Sequence, residues 1–191
     1  MRLVIFGKTG QVGAELARYP FPSDVSVLHF GREDCDVEDF RMTALAIRHS
    51  GADVLINATG YSDAVKAESE RERARALNAN VPRGMAKAAS ELPNCPIIQL
   101  STADVYAPGA SGPLTEDSDV DPQSTFARTK EAGERAVMRA HEQHIILRPG
   151  NPRRTRTHLA PAPCPRARAR LRIRKVVVNF IANQEHVLPP A

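Results

Sequence analysis

Five short, mainly apolar runs alternate with more polar segments along this chain. The first, from Leu3 to Phe6, is continuous and lacks the alternation of polar and apolar residues that marks a half-exposed strand. An unbroken apolar run of this length is typical of a strand buried on both faces of a parallel sheet. Further strands are predicted at 25–30, 53–57, 96–100 and 144–147.

Amphipathic segments occupy the intervals between these runs. One helix is predicted to begin at Val12, and others cover 40–49, two stretches of 64–89 divided near Pro82, and 129–141. Strands that alternate with helices through short connections indicate a parallel sheet covered by helices on both faces. The predicted fold class is therefore α/β, a Rossmann-type doubly wound parallel sheet that ends after its sixth strand and is followed by a basic tail.

A glycine-rich turn after the first strand points to a bound ligand. Gly7, Gly10 and Gly13 are spaced by three residues, and the amphipathic pattern begins at Val12. Strand, glycine turn and helix in this order are the context of a dinucleotide site. There the backbone approaches the pyrophosphate closely, and helix N–H groups point at it. The alternative is a tight strand-to-helix turn that binds nothing.

The end of the second predicted strand indicates which dinucleotide is favoured. Gly31 and Arg32 lie about twenty positions after the glycine turn, where such folds contact the adenosine ribose. An acid there would repel a 2′-phosphate, whereas the planar guanidinium of Arg32 is suited to bind one. NADP(H) is therefore favoured over NAD(H), with an ordinary surface arginine as the alternative. Asp36 and Val37 fit a contact with the adenine edge, and the alternative for Asp36 is a solvated loop acid.

Charge divides the chain into two regions. The net charge of +4 combines an acidic excess up to Asn151 with nine basic residues and a single acid, Glu185, beyond it. The later region is also rich in proline, and arginine alternates there with small or apolar residues. This break predicts an NAD(P)-binding Rossmann domain over 1–151 and a basic tail over 152–191.

The tail has two interpretations. Its bias toward arginine, proline and alanine is what out-of-frame translation of GC-rich DNA produces, which predicts a disordered, frameshift-derived end of a truncated product. The alternative is a basic arm that binds phosphates or nucleic acid. Because aromatic residues for base stacking are not interleaved with the arginines, no specific nucleic acid partner is predicted.

Composition sets the remaining limits. No apolar run approaches the ~20 residues of a membrane-spanning helix, so no membrane partner is predicted. The 3 cysteines are far apart and lack CxxC spacing. This favours reduced thiols in a cytoplasmic protein over a disulfide framework or a zinc site. The 6 histidines are scattered, and no metal is predicted.

Several motifs within residues 1–150 occur together, namely GKTGQVG, NATGYSDAVKAESE, STADVY, PLTEDSDVDPQ and KEAGE. Together they resemble the extended short-chain dehydrogenase/reductase superfamily and, within it, the dTDP-4-dehydrorhamnose reductase family. The resemblance implies an oxidoreductase of dTDP-L-rhamnose synthesis that reduces a 4-keto nucleotide sugar with a nicotinamide cofactor, and it leaves a homo-oligomer open. A nucleotide-sugar epimerase or dehydratase is an alternative, because RPGN at 148–151 is similar to the epimerases.

The resemblance also implies roles for individual residues. Thr102 would hydrogen-bond the reacting carbonyl, and Lys130 would hold the nicotinamide ribose and lower the pKa of a tyrosine partner. Thr102, Ala103 and Asn151 would contact the substrate. The residues that would hold the cofactor are Gly7, Gly10, Gln11, Val12, Gly13, Gly31, Arg32, Asp36, Val37, Ala58, Thr59, Gly60, Tyr61 and Lys130.

Two departures from the family bear on activity. The family's proton donor is a tyrosine four residues before the lysine, and Phe126 stands at that position here. A phenyl ring has no ionisable O–H, and loss of a general acid typically lowers a rate by about 10²–10⁴-fold. The family also continues beyond this point into a substrate-binding domain. Whether the chain is an enzyme thus stays open, and the competing interpretation is a catalytically inactive dinucleotide-binding or regulatory remnant.

Overall fold

A parallel sheet of five strands organises the part of the chain that the computed structural model describes, residues 1–109 and 114–149. Its strand order is β2-β1-β3-β4-β5, so the direction of winding reverses between β1 and β3. The predicted sixth strand is not among the described residues. The strands are β1 Arg2–Phe6, β2 Ser26–Phe30, β3 Val54–Asn57, β4 Ile97–Leu100 and β5 His144–Leu147.

Helices connect the strands. A π-helical turn, Ala76–Asn80, joins α4 to α5 without a break, and a 3₁₀ turn, Ala103–Val105, follows β4. The helices are α1 Gln11–Ala17, α2 Phe40–Ser50, α3 Ala64–Ala67, α4 Arg71–Arg75, α5 Val81–Ser90 and α6 Thr125–Ala140.

The two faces of the sheet are covered by different helices. Side chains alternate along β1, so Val4 and Phe6 pack on one face with α2, α5 and α6. Leu3 and Ile5 point to the other face and pack with Leu16 of α1. Both faces of β1 are fully buried, which explains its continuous apolar run. The parallel sheet with helices on both faces confirms the predicted doubly wound fold.

Helix α6 begins earlier than its amphipathic pattern indicates. The sequence predicts a start at residue 129, whereas the helix starts at Thr125. The side-chain oxygen of Ser124 accepts a hydrogen bond from the backbone N–H of Ala127 (3.1 Å) and caps the helix there. Phe126 and Lys130 therefore both lie inside α6, one turn apart.

The segment 64–89 is not divided at Pro82 as predicted. The helical backbone is interrupted at residues 68–70, and from residue 71 it continues to the end of α5. Pro82 lies in the first turn of α5, a position that proline tolerates in a helix. It follows closely after the π-helical turn, whose i→i+5 hydrogen bonds depart from the α-helical pattern.

Some predictions concern residues outside the described ranges. These are the substrate contact of Asn151 and both interpretations of the tail at 152–191. Within residues 1–109 and 114–149, no helix has the length and apolarity needed to cross a membrane. In the same residues no group of three or more His, Cys, Asp or Glu side chains could hold a metal ion.

Candidate functional site

A cleft lies at the carboxyl ends of β1, β2 and β3, where the strand order reverses. Open parallel sheets bind their ligands at such a switch point. The lining residues are Gly7, Thr9, Gly10, Phe30, Gly31, Arg32, Cys35, Asp36, Val37, Ala58, Thr59, Gly60 and Leu77. Its volume of about 180 Å³ is below the roughly 300–1,000 Å³ of a complete small-molecule pocket, so the cleft can hold part of a dinucleotide.

The glycine turn between β1 and α1 forms one wall of this cleft. The backbone N–H groups of Gly7 and Lys8 donate to the carbonyl oxygen of Phe30 (3.0 and 3.1 Å), which joins the turn to the end of β2. Gly7 has a φ of 100°, and a Cβ there would lie 2.6 Å from the carbonyl oxygen of Ala58. A Cβ on Gly13 would lie 2.1 Å from the carbonyl oxygen of Gly7. Neither position admits a side chain, and the geometry fits close approach of a phosphate to bare backbone.

Arg32 lines the cleft directly after β2. It is exposed, and in residues 1–109 and 114–149 it has no ion-pair partner. The nearby Asp34 carboxylate accepts a hydrogen bond from the Gly31 backbone N–H (2.8 Å) and lies 3.7 Å from Lys8 Nζ. These two contacts engage the acid and leave the Arg32 guanidinium available to an anion.

The cleft floor contains residues that no sequence motif indicated. Phe30 is stacked on Phe6, with their ring centroids 4.7 Å apart. As the last residue of β2, Phe30 could have been inferred from the strand prediction. Cys35 and Leu77 come from separate segments of the chain, and their convergence here depends on the packing of the π-helical turn against the sheet. Thr9 belongs to the glycine turn itself.

Five residues with a predicted cofactor contact do not line the cleft: Gln11, Val12, Gly13, Tyr61 and Lys130. The side chain of Val12 packs against the core on the α1 face of the sheet, which leaves only its backbone for a ligand. The ring of Tyr61 packs against the opposite core. Burial raises the pKa of Tyr61, and a hydrogen bond with the Glu70 carboxylate raises it further.

Lys130 is buried beside the cleft, at the carboxyl end of β4. Its Nζ donates to the carbonyl oxygen of Leu100 (2.6 Å) and lies 3.6 Å from the point where Gly60 would carry a Cβ. Burial lowers the pKa of Lys130 to about 8, and the negative charge of Glu134 acts in the opposite direction. The ammonium therefore stands next to the loop that forms the cleft wall.

Thr102 lies just beyond β4, near Lys130, but its hydroxyl is engaged locally. Thr102 Oγ1 donates to Asp104 Oδ2 (2.9 Å) and accepts from the Asp104 backbone N–H (3.2 Å), which caps the 3₁₀ turn. The N–H of Ala103 donates to the carbonyl oxygen of Pro149 (2.9 Å). Ser101, which the sequence analysis did not single out, has a buried hydroxyl without a hydrogen-bond partner in the described residues.

Phe126 lies in the first turn of α6 and is half-buried. Its position precedes Lys130 by one helical turn, about 6 Å along the axis. The ring has no atom that can give or take a proton. Of the three predicted catalytic positions, 102, 126 and 130, only the first and the last carry polar side chains.

The family of this chain follows from comparison with known proteins. Residues 1–151 match the family model described as RmlD substrate binding domain. The chain belongs to this family. Two curated relatives are named dTDP-4-dehydrorhamnose reductase, one from Sinorhizobium fredii (36% identical over 148 residues) and one from Salmonella typhimurium (34% over 151). The resemblance inferred from the motifs is confirmed.

The chain spans about half the length of the curated relatives it matches. The aligned 78% of this chain corresponds to 49% of the S. fredii protein and 50% of the Salmonella protein. The dTDP-4-dehydrorhamnose reductase structure from Clostridium acetobutylicum is 29% identical, with a TM-score of 0.74, over 78% of this chain and 52% of that one. The Bacillus anthracis reductase, solved with NADP, shares the fold at 23% identity and a TM-score of 0.74, over 78% of this chain and 53% of that one.

A buried ion pair fixes α6 of this RmlD-family chain to the end of β5. Glu134 is 1% exposed, and both of its carboxylate oxygens accept from the guanidinium of Arg148 at 2.7–3.1 Å. The hydrogen bonds with Glu134 raise the pKa of Arg148. The Arg148 guanidinium also lies over the Tyr106 ring, 4.9 Å from its centroid. The pair therefore holds the helix that carries Lys130.

Replacement of Glu134 by glutamine should destabilise the protein strongly. Removing one partner of a buried pair leaves the other charge uncompensated, which costs about 3–5 kcal/mol of unfolding free energy. Glu15→Gln is the matched control, because Glu15 is partly exposed and pairs with the exposed Arg18 at the end of α1 (3.6 Å), so this pair should contribute less than about 1 kcal/mol. Urea denaturation measures both, and equal losses would contradict the assignment.

Proposed function

We propose that this chain is the cofactor-binding half of an NADP(H)-dependent reductase of a 4-keto nucleotide sugar, of the dTDP-4-dehydrorhamnose reductase type. The observation that carries the proposal is that three features converge at the carboxyl ends of the parallel strands. The glycine turn, the guanidinium of Arg32 and the buried ammonium of Lys130 all border the wall formed by residues 58–60. Relatives that align with this segment are named as reductases of this class.

The residues present fit a dinucleotide. The bare backbone at Gly7 and Gly10 would receive the pyrophosphate at the N-terminal end of α1. Arg32 would bind the 2′-phosphate, and Asp36 with Val37 would border the adenine. Nicotinamide supplies a hydride in this class of reaction.

Lys130 would hold the nicotinamide end of the cofactor. With a pKa of about 8, it is mostly protonated at neutral pH, so its ammonium can donate to ribose hydroxyls. Thr102 stands just beyond the same strand end, and its hydroxyl would have to exchange its hydrogen bond with Asp104 for one to a substrate carbonyl. A carbonyl that receives a hydride must also receive a proton, and Phe126 has none to give.

A second candidate function is a dinucleotide-binding protein without turnover. Phe126 favours it, because the aromatic ring retains the bulk of the family's tyrosine but lacks its acidic hydroxyl. Both candidates require that the cleft bind NADP(H), and they differ only in whether a reaction follows binding. NADP(H) affinity therefore tests what they share, and turnover separates them.

The cleft should bind NADPH more tightly than NADH, and Arg32 should be the cause. Arg32→Ala removes a charge-assisted contact with the 2′-phosphate, so NADPH affinity should fall about 10- to 100-fold while NADH affinity stays constant. Isothermal titration calorimetry with both cofactors measures this. Arg41→Ala is the control, since Arg41 is an exposed arginine of α2 that does not line the cleft. Equal affinities of the unmodified chain for the two cofactors would remove the role of Arg32.

A further inference from the structure

A long groove, here called the basic groove, lies between the exposed sides of α5 and α6. Its volume is about 1230 Å³, and it shares no described lining residue with the cofactor cleft. Its floor consists of small, partly exposed residues, namely Gly84 of α5 and Ala132, Ala136 and Ala140 of α6. The three alanines are spaced by four positions and therefore form one stripe along α6. The ring of Phe40, 48% exposed, lies beside Gly84.

The charged side chains that line the basic groove are all cations among the described residues. Five are present, and all are exposed: Arg75, Arg83 and Lys87 on the side of α4 and α5, and Arg135 and Arg139 on the side of α6. Arg135 pairs with Glu131 (2.7 Å), whereas the other four form no ion pair within residues 1–109 and 114–149. Like charges therefore flank an apolar floor on both sides, and an anionic partner would relieve their mutual repulsion.

This concentration of positive charge is local. Residues 1–151 contain 17 basic and 21 acidic side chains, so the domain as a whole is negatively charged. On α3 and α4, exposed acids lie beside bases, as Asp63 does beside Lys66 (4.0 Å) and Glu70 beside Arg73 (3.9 Å). The basic groove differs from these mixed surfaces. A cationic surface of this kind attracts anionic partners and repels cationic ones.

Charge argues against two occupants that the chain itself could supply. In a symmetric dimer formed through the basic groove, the five cations of one copy would face the five of the other, and like charges placed in this way repel. The segment after Asn151 contains nine basic residues and a single acid, Glu185, so the groove would repel it as well. The charge therefore favours an acidic partner.

The floor of the basic groove indicates the shape of that partner. Small residues at four-residue spacing allow a further helix to approach α5 and α6 closely, because its side-chain ridges can enter the groove between them. From Arg75 to Lys87 the cations extend over about 18 Å, which a helix of three to four turns covers. Phe40 is the only aromatic residue in the described lining, so nucleic acid bases would have little to stack on. A membrane surface is too broad to reach a recessed floor.

We propose that the basic groove is the docking surface for an acidic amphipathic helix of a partner protein. The apolar face of that helix would pack on the stripe of Ala132, Ala136 and Ala140. Its flanking Asp and Glu side chains would pair with Arg83 and Lys87 on one side and with Arg139 on the other. Because the groove and the cofactor cleft share no described lining residue, this inference goes beyond the proposed function and does not depend on it.

A synthetic peptide tests the charge requirement. The probe is a helix of about 20 residues with alanine and leucine on one face and glutamate on both flanks, and its control has glutamine at the same flanking positions. The unmodified chain should bind the glutamate peptide at least about 10-fold more tightly than the glutamine peptide at low salt, measured by fluorescence anisotropy. A rise in salt from about 0.05 M to about 0.5 M should remove most of this difference.

Charge reversal on each side of the basic groove tests the location. Arg83→Glu and Arg139→Glu should each weaken binding of the glutamate peptide about 10-fold or more, because an attraction becomes a repulsion. Lys66→Glu is the matched control, since this lysine of α3 is 68% exposed and does not line the groove. It should leave the affinity unchanged. A peptide with lysine on its flanks should bind the double variant more tightly than the unmodified chain.

Ala136→Leu tests whether the helix enters the groove. Leucine occupies the floor without a change of charge, so the affinity for the glutamate peptide should fall about 10-fold through lost shape complementarity. Ala64→Leu is the control, because Ala64 is exposed on α3 outside the groove. Unchanged affinity of the folded Ala136→Leu variant would show that charge alone holds the peptide, and this would overturn docking in the groove.

Three further results would also overturn the inference. The first is equal binding of the glutamate and glutamine peptides. The second is tighter binding of oligodeoxythymidine or of phosphatidylserine vesicles, lost in Arg83→Glu, which would assign the groove to nucleic acid or to a membrane. The third is salt-sensitive self-association in analytical ultracentrifugation, lost in the same variant, which would assign it to a second copy. NADPH affinity should be the same in all these variants, so an unmodified chain that does not bind NADPH would contradict only the proposed function.

Discussion

Replacement of Gly13 by alanine is expected to lower NADPH affinity by more than about 100-fold. The new Cβ would lie 2.1 Å from the backbone carbonyl oxygen of Gly7, far inside van der Waals contact, and a Cβ has no side-chain torsion by which it could move away. The turn must therefore open. Opening it displaces Gly10, whose N–H donates to that same carbonyl (2.9 Å), and so removes the backbone surface that would receive the pyrophosphate.

Gly84→Ala provides the matched control for this change. Its Cβ would lie 3.6 Å from the Phe40 ring, which is an ordinary contact, and it falls inside helix α5. Alanine should raise the unfolding free energy there by roughly 0.5–1 kcal/mol and leave NADPH affinity constant. Circular dichroism establishes that both variants are folded before calorimetry. A folded Gly13→Ala protein with unchanged affinity would show that the ligand does not use the glycine turn.

Phe126→Tyr by itself is expected to give little or no reductase turnover. The added hydroxyl restores a proton donor one helical turn from Lys130, whose positive charge would favour the ionised phenol. Turnover also requires that the sugar be held against the cofactor in reactive geometry, and this chain spans only half of the relatives' length. Fusion of a relative's C-terminal half after Gly150 together with Phe126→Tyr should raise the rate by about 10²-fold or more over the fusion that retains Phe126.

The consumption of NADPH with a 4-keto nucleotide sugar measures this prediction. The two comparisons needed are the fusion with Phe126 and the unfused Phe126→Tyr chain. Brisk turnover by the unfused variant would show that the half of the relatives that this chain does not span is dispensable for chemistry. Equal rates of the two fusions would show that the proton comes from another group.

Local sequence pattern determined the architecture of this protein. A strand buried on both faces requires an apolar run, so the runs at 3–6, 53–57 and 96–100 indicate β1, β3 and β4 without knowledge of any partner. The glycine spacing after β1 likewise reflects a steric constraint, because only residues without a Cβ fit where Gly7 and Gly13 are in contact. The contact between Gly7 and Gly13 is local, whereas the contact of Gly7 with Ala58 also depends on the parallel pairing of β1 with β3.

The tertiary structure alone decided how the polar groups are paired. Asn57 and Gln99 are 42 positions apart, and they meet because the parallel register of β3 and β4 sets them side by side. Asn78 reaches Thr129 over 51 positions, through the close packing of α6. The hydroxyl of Thr102 donates to Asp104, whereas that of Ser101 has no partner among residues 1–109 and 114–149, and the sequence around these two residues does not predict this difference. Hydrogen bonds need partners within about 3 Å, and only the folded backbone brings such distant residues that close.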